Sequence, residues 1–550
     1  MVNFVRMKDY YSNYIDSINQ FIGLEIDIVY LADKDDIDIV FKSLTKEILE
    51  TNQKKFNNLS QKIKSVLLDF YERFENLPYQ ATYKQIFVEE LAYSLIDKNH
   101  NSLINFIETL KELCIKTYEL EDTKMGFIIV REDNINVQKV LEKLNISYTP
   151  YKQSLQYFIT EKQALKLIDS QSVCLVLNKK YQVIGVARKK KEQSSIKNIM
   201  MNRFRVFEES EIKYSSHDYY LGSQIKFKKT EFSSEEQSIR SAIEEIIHKV
   251  ASEYKIDLDK GTIDLEDVLD KIDVEKLDEE EIVKIREYMD LHTSLQYKLI
   301  KNLNATANHY ETHNTFLSGI VKQLKQGHRN HIGDLHFVYF EKKQIFWSAS
   351  YENLIIYSNG RWKLRNYFLL SNIISHFVMR QTEIQKYEED FNLNYTLEEI
   401  NNLIPKILDL YDSIKSLSNK NIGSLICILN EKNITNDELY FRMLLTKKLT
   451  FDKFNVLIKN EDATKINILD CDNFLFELIC SIDGGLIIDK YLNIHSAGEM
   501  FSSENVNNKK NYRGARTLAA LGASRYGLAV KISEDGDILV FENENEVARI

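Results

Sequence analysis

At 550 residues the chain exceeds one ordinary domain; domains run to roughly 100–200 residues, so three or four are expected. Apolar residues make up 44% and aromatics 11%, enough for packed cores. Against 72 basic side chains stand 82 acidic ones, and the net charge of −10 argues against non-specific binding to nucleic acid or to an anionic membrane.

Only Pro78, Pro150 and Pro405 are prolines, and glycine numbers 17, so long Pro/Gly linkers are excluded and much helix is expected. Cys114, Cys174, Cys427, Cys471 and Cys480 form no CxxC pair and sit mostly in apolar runs. They read as buried, reduced thiols of a cytoplasmic protein. The opening MVNFVRMKDYYSNYID has no apolar core of a secretory signal. No apolar run approaches the ~18–20 residues of a membrane span, so no membrane partner is expected.

The expected organisation is a multidomain α/β and α+β chain with a helix-rich N-terminal region. Residues 1–120 read as helical, with apolar residues at helical spacing in IFVEELAYSLIDKNHNSLINFIETLKELCIKTYEL. Residues 121–230 read as a small α+β domain, from the strand MGFIIV (125–130) and the hairpin SVCLVLNKKYQVIGVARKK (172–190) around Asn-Lys-Lys-Tyr. A charged helical segment follows over 231–310, its charges suiting solvated helix faces. Residues 311–400 form an α+β region that could act as a sensor. It holds LHFVYFEKKQIFWSAS, NLIIYSNGRWKLRNY with an Asn-Gly turn, and the helix ISHFVMRQTEIQKYEEDF. No sequence repeat stands out.

Two clusters have ordinary explanations. His309, His313, His328, His331 and His336 crowd one window, and His309 and His313 are four apart. That spacing suits two ligands on one helix face, but HYETH is not HExxH, and no spacing specifies a third ligand. The run RKKK (188–191) ends a strand and reads as a solvated edge. Neither a GxxxxGK[ST] loop nor GxGxxG occurs, so P-loop and Rossmann sites lack support.

The last part, 401–550, carries several features in order. A helix (EEINNLIPKILDLYDSIKSLS) leads to the strand GSLICIL (423–429), then to the helix LDCDNFLFELICSI. Asp483-Gly484-Gly485 opens the strand LIIDKYLNIHSAGEMF. The polar loop SSENVNNKKNY precedes the helix RGARTLAALGAS, and the chain closes with the strand GLAVKISEDGDILVF.

This order resembles the diadenylate cyclase domain, whose GALIVI-type strand, DGA, GTRHR and SEE motifs have counterparts here. They are GSLICIL, Asp483-Gly484-Gly485, Gly514-Ala515-Arg516-Thr517-Leu518 and Ser533-Glu534-Asp535. The resemblance covers about 405–550 and implies a mixed sheet flanked by helices. It also implies condensation of two ATP molecules to cyclic di-AMP by domains that meet face to face, hence a homo-oligomer. Asp483, Arg516 and Glu534 would be catalytic. Asp483, Glu534 and Asp535 would hold Mg²⁺ or Mn²⁺, as hard oxygen donors do. The nucleotide would lie against Gly484, Gly485, Gly514, Ala515, Arg516, Thr517 and Ser533, with phosphates at a helix N-terminus.

The chain departs from the pattern at Thr517 and Leu518, where the family has histidine and arginine, and at Ile482, where it often has histidine. Each lost charged contact at a transition state costs ~2–4 kcal/mol. Two readings therefore stand: a cyclase controlled by its N-terminal region, and a catalytically degenerate nucleotide-binding sensor. Both bind ATP or an adenine dinucleotide.

Overall fold

A computed structural model describes residues 2–31, 36–74, 82–97, 100–118, 121–132, 135–191, 193–205, 208–209, 212, 216, 237–256, 265–269, 271–272, 277, 279–292, 294–295, 335–349, 354–381, 393–430, 442–445, 466–504, 506 and 510–550. The chain forms two compact units, Met1–Tyr219 with Leu324–Ile550, and Tyr220–Gln323. The fold is mixed α and β, as the sequence predicts. The described residues of the smaller unit are mostly helical. Ile246, Ile247, Val250 and Ala251 on one helix pack with Leu265 and Val268 on the helix Leu265–Leu269.

The larger unit opens with helices Val2–Ile22, Gln53–Phe74, Thr82–Ile96 and His100–Cys114. The all-helical reading of 1–120 is corrected here: β1 (Ile26–Leu31) and β2 (Asp36–Phe41) form an antiparallel hairpin. Its alternation of acidic and aliphatic residues is a strand period, hidden among helical ones. Short strands β3 (Thr117–Tyr118) and β4 (Glu121–Asp122) follow.

Two large sheets form the body of this unit. The first lobe contains β5 (Met125–Val130), β6 (Ile146–Gln153), β7 (Val173–Leu177), β8 (Val183–Lys189), β9 (Leu335–Glu341), β10 (Gln344–Ser348), β11 (Leu354–Ser358) and β12 (Arg361–Arg365), in the order β12-β11-β10-β9-β5-β7-β8-β6. The Asn-Gly turn between β11 and β12 has positive φ at both Asn359 and Gly360, as a type I′ hairpin requires. One expected boundary is corrected here. Strands from 121–230 and from 311–400 complete a single sheet, because β9 pairs directly with β5. The smaller unit is an insertion that separates them in sequence.

The second lobe contains β13 (Ser424–Leu429), β14 (Ile466–Asn467), β15 (Gly485–Ile488), β16 (Asn493–Glu499), β17 (Gly527–Ile532), β18 (Ile538–Glu542) and β19 (Asn545–Arg549), in the order β14-β16-β15-β13-β17-β18-β19. Two segments expected as single strands are hairpins. LIIDKYLNIHSAGEMF folds at Asp489–Leu492, and GLAVKISEDGDILVF folds at Ser533–Asp537. In both, side-chain oxygens capture turn amides, a local alternative to the ladder.

Helix Ala515–Ala523 covers one face of this sheet. Its Ala520, Leu521 and Ala523 pack with Leu425, Cys427 and Leu429 of β13, Ala529 of β17 and Phe501. All five cysteines are free and buried, and burial pushes the thiols of Cys427 and Cys480 up to about 12. Among the described residues no helix is long and apolar enough to cross a membrane.

Candidate functional site

The register of β13 gathers the sequence motifs at one end of the second sheet. Ser424, its first residue, pairs with Ile532, the last of β17, and Ile426 pairs with Leu486 of β15. Gly423 thus lies at the same sheet end as Asp483, two residues before β15, and Glu534, two residues after β17. The N-terminus of helix Ala515–Ala523 reaches this end as well. A Cβ on Gly423 would collide with the Arg516 guanidinium and meet Glu534 Cγ at 3.2 Å. Glycine at 423 therefore leaves room for Arg516 and Glu534 to converge.

The helix start suits an anion. Its first amides have no intrahelical partner, and Gly514 at the N-cap supplies no side-chain cap. Ala515 and Gly514 are exposed, whereas Thr517 is buried beneath the first turn, with its amide on the Gly514 carbonyl at 3.0 Å. The structure thus brings Gly514, Ala515 and Arg516 to the corner surface and turns Thr517 inward.

Sequence reasoning missed Lys531. Leu425, Lys531, Leu539 and Arg549 are direct partners across β13, β17, β18 and β19, so they share a face. That face carries the Ala515–Ala523 helix. Half-buried there, Lys531 has its pKa lowered: burial is the main cause, Arg516 and Arg549 push the same way, and Asp537 and Asp535 oppose them. No hydrogen bond or ion pair joins Lys531 or Arg516 to another described residue. The missed signal lies in GLAVKI, where a lysine interrupts a run of buried residues on both faces.

The glycines of the Asp-Gly-Gly motif serve the fold's own packing. Gly484 has φ of +112°, and a Cβ there would meet Gly498 O at 2.7 Å and Glu499 N at 2.8 Å. A Cβ on Gly485 would overlap the Phe501 ring and sit 3.2 Å from Leu425 O. Asp483 itself is exposed.

Ser533 is equally engaged. Its Oγ accepts from the Asp537 amide at 3.0 Å, closing the β17–β18 turn. Around that turn, Arg365 Nη2 donates to Asp535 O at 3.2 Å, Lys363 Nζ donates to Asp537 Oδ2 at 2.7 Å, and Ser418 Oγ donates to Gly536 O at 2.5 Å. Strand β12 of the first lobe thus grips the turn that presents Glu534 and Asp535, whose side chains stay exposed.

Asp483 and Glu534 precede and follow strands that are two apart, a main-chain gap of about 10 Å. Among the described residues no three His, Cys, Asp or Glu side chains cluster closely enough to hold a metal. Asp483, Glu534 and Asp535 therefore do not make a protein-only metal cage. They fit a cation that takes most ligands from phosphate and water, as Mg²⁺ commonly does. Of the histidine window, His336 lies on β9, buried, and accepts from Trp347 Nε1 at 3.2 Å. Burial, with Arg131 and Arg203 nearby, lowers its pKa to about 3, so it is a neutral core histidine. His309, His313, His328 and His331 lie outside the described residues.

No family model and no curated protein matches the chain. Among solved structures, a hypothetical membrane spanning protein from Bacillus cereus aligns over 34% of this chain and 93% of its own, at 16% identity and a TM-score of 0.18. A likeness this slight bears on neither fold nor function.

Proposed function

We propose that the second lobe is a diadenylate-cyclase-like domain that binds ATP at this corner, and that the chain condenses two ATP to cyclic di-AMP under control of the residues before it. One observation carries the reading: Arg516 and Lys531, two cations without partners among the described residues, meet beside an uncapped helix N-terminus. Such a corner suits a polyphosphate, through a forked guanidinium, an ammonium and free amides. The motif resemblance supplies the adenine nucleotide and the reaction. Asp483 and Glu534 are the donors that would share Mg²⁺ or Mn²⁺ with the phosphates. The bound metal would neutralise the triphosphate and acidify the attacking 3′-hydroxyl. Two corners must meet for one product, so the active form is a homo-oligomer, at least a dimer, in the cytoplasm. Control by the N-terminal residues is supported by the grip of Lys363 and Arg365 on the turn bearing Glu534.

A second reading, a nucleotide sensor without turnover, is favoured by Thr517 and Leu518. The first is buried and the second apolar, so the corner holds one arginine where the family motif has two. Incubation of the purified chain with ATP and Mn²⁺, followed by mass spectrometry, separates the two. Cyclic di-AMP that disappears in Asp483→Asn, a change at an exposed position that leaves the fold intact, supports the cyclase. Nucleotide binding without product supports the sensor, and no binding of any adenine nucleotide sinks both.

A further inference from the structure

The two lobes are built on one plan. In the order met along the chain, β5 to β11 match β13 to β19, and each strand occupies the same place in its sheet. In both, the central strand pairs parallel with the third strand and antiparallel with the fifth. The third and fourth strands slip register at the same place, between Val176 and Leu177 and between Ile487 and Ile488.

The turns that follow match atom by atom. Asn178 Oδ1 accepts from the amides of Lys180 and Gln182 at 2.9 and 3.0 Å, and Asp489 Oδ1 from those of Tyr491 and Asn493 at 2.9 and 2.8 Å. Tyr181 and Leu492, at equivalent positions, have φ of 61° and 60°. A helix lies between the fourth and fifth strands of each copy, Ile196–Met201 in the first and Ala515–Ala523 in the second. In the first copy the 220–323 unit is inserted after it.

We propose that the first lobe is a degenerate copy whose corner is closed, so that one chain offers one phosphate-binding corner, in the second lobe alone. The shared register equates Asp483 with Ser172, Gly485 with Cys174, and Lys531 with Tyr339. The second residue of each helix is Arg516 in one copy and Lys197 in the other. Lys197 is neutralised by an ion pair with Glu341 and lies 4.5 Å from the centre of the Tyr339 ring. Tyr339 is buried where Lys531 stands in the second copy, stacked on Phe346 at 4.7 Å. Space beside Gly126, the counterpart of Leu425, is taken by Cys174 Sγ and Ser170. An aromatic ring and an internal ion pair thus replace two cations that have no partner among the described residues. Joined to the reading of the second lobe as an ATP site, on which it rests, this means that a reaction consuming two nucleotides needs two chains. The first lobe cannot stand in for the second partner.

Isothermal titration of the full-length chain with ATP and Mg²⁺ tests it, with hydrogen exchange locating the ligand. One equivalent per chain is expected, protecting residues 513–518 and 531–537. Affinity should fall at least tenfold in Arg516→Met and in Lys531→Met, and be kept within threefold in Lys197→Met, whose ion pair lies in the first lobe. Two equivalents, or protection over 195–199 and 339–344, overturn the inference and leave the ATP reading standing. No uptake of ATP by the wild-type chain overturns that reading and the inference with it.

Discussion

Substitution of Gly484 and Gly485 by alanine distinguishes packing from ligand approach as the reason for these glycines. At Gly484 the added Cβ would lie 2.7 Å from Gly498 O and 2.8 Å from Glu499 N, both main-chain atoms of β16. Gly498 C would be nearer still; ordinary contact needs about 3.4 Å, so β16 must retreat by roughly 1 Å from a ladder that pairs Gly485 with Glu499. Overpacking of that kind costs about 1–3 kcal/mol. The φ of +112° adds strain of about 1–2 kcal/mol for a residue with a side chain. Gly484→Ala should therefore destabilise the lobe by about 3–4 kcal/mol. At Gly485 the obstacle is the Phe501 ring, which can rotate, and about 1–2 kcal/mol is expected. Phe501→Leu should relieve part of the Gly485→Ala cost and none of the Gly484→Ala cost. Amide exchange on β13, β15 and β16 in the full-length chain reads these differences, because local opening free energies report on the lobe itself. Both tryptophans, Trp347 and Trp362, sit in the first lobe, so their fluorescence would not. Unchanged exchange in both alanine variants, with ATP affinity lost, would refute the packing account.

The Asp489 turn gives a second test. Burial favours its neutral acid, but hydrogen bonds from His495 and Asn493 overcome this and hold the carboxyl below its usual range. Asp489→Ala strands those donors and should cost about 2–4 kcal/mol, whereas Asp489→Asn should cost about 1 kcal/mol, since Asn178 closes the matching turn in the first lobe. Because the folded pKa is depressed, the extra stability of the wild type over Asp489→Asn is present above pH ~4 and should vanish as pH falls through the folded pKa in denaturant titrations. Lys531, its pKa also depressed, loses its charge below the normal lysine range. ATP affinity should therefore fall with rising pH earlier than in Lys531→Arg, and coincident profiles would exclude Lys531 from the corner. Replacing Lys363 and Arg365 by methionine should speed amide exchange at least tenfold over 533–537 while leaving β5 and β7 unchanged; equal exchange would mean the turn holds itself.

Element types were largely legible in the sequence. Apolar runs such as MGFIIV and SLICIL became the two central strands, and Asn-Gly became a type I′ turn. Hairpins were harder, because NKKYQ and its counterpart DKYLN contain no glycine or proline. Their turns depend on an Asx oxygen and on a residue held at positive φ, which leave little compositional trace. The duplication was hidden for a related reason. What the copies share is register, a bulge and hydrogen bonds to main chain, and none of these demands a particular side chain apart from Asn178 or Asp489. The insertion of 220–323 between a helix and β9 then placed half the first sheet far from the rest in sequence. At the site, Arg516, Glu534 and Gly423 converge as the motif order suggests. The glycines after Asp483 and the Ser533 hydroxyl instead answer to local packing, which no spacing could have announced.

The closed first corner and the open second one place different demands on the same scaffold. A corner that binds an anion keeps cations close together, and Lys531, half-buried near Arg516 and Arg549, has its pKa lowered, chiefly by burial. That arrangement needs rigid support from outside the corner. Strand β12, which has no counterpart in the second sheet, supplies it: Arg365 is buried and Lys363 half-buried, and both reach the Ser533–Asp537 turn. β12 closes an antiparallel meander, β9-β10-β11-β12, that begins where the chain returns from the inserted unit. Each strand of that meander is hydrogen-bonded to the next, so β12 is anchored through the ladder to β9 and, through β9, to the central strand β5.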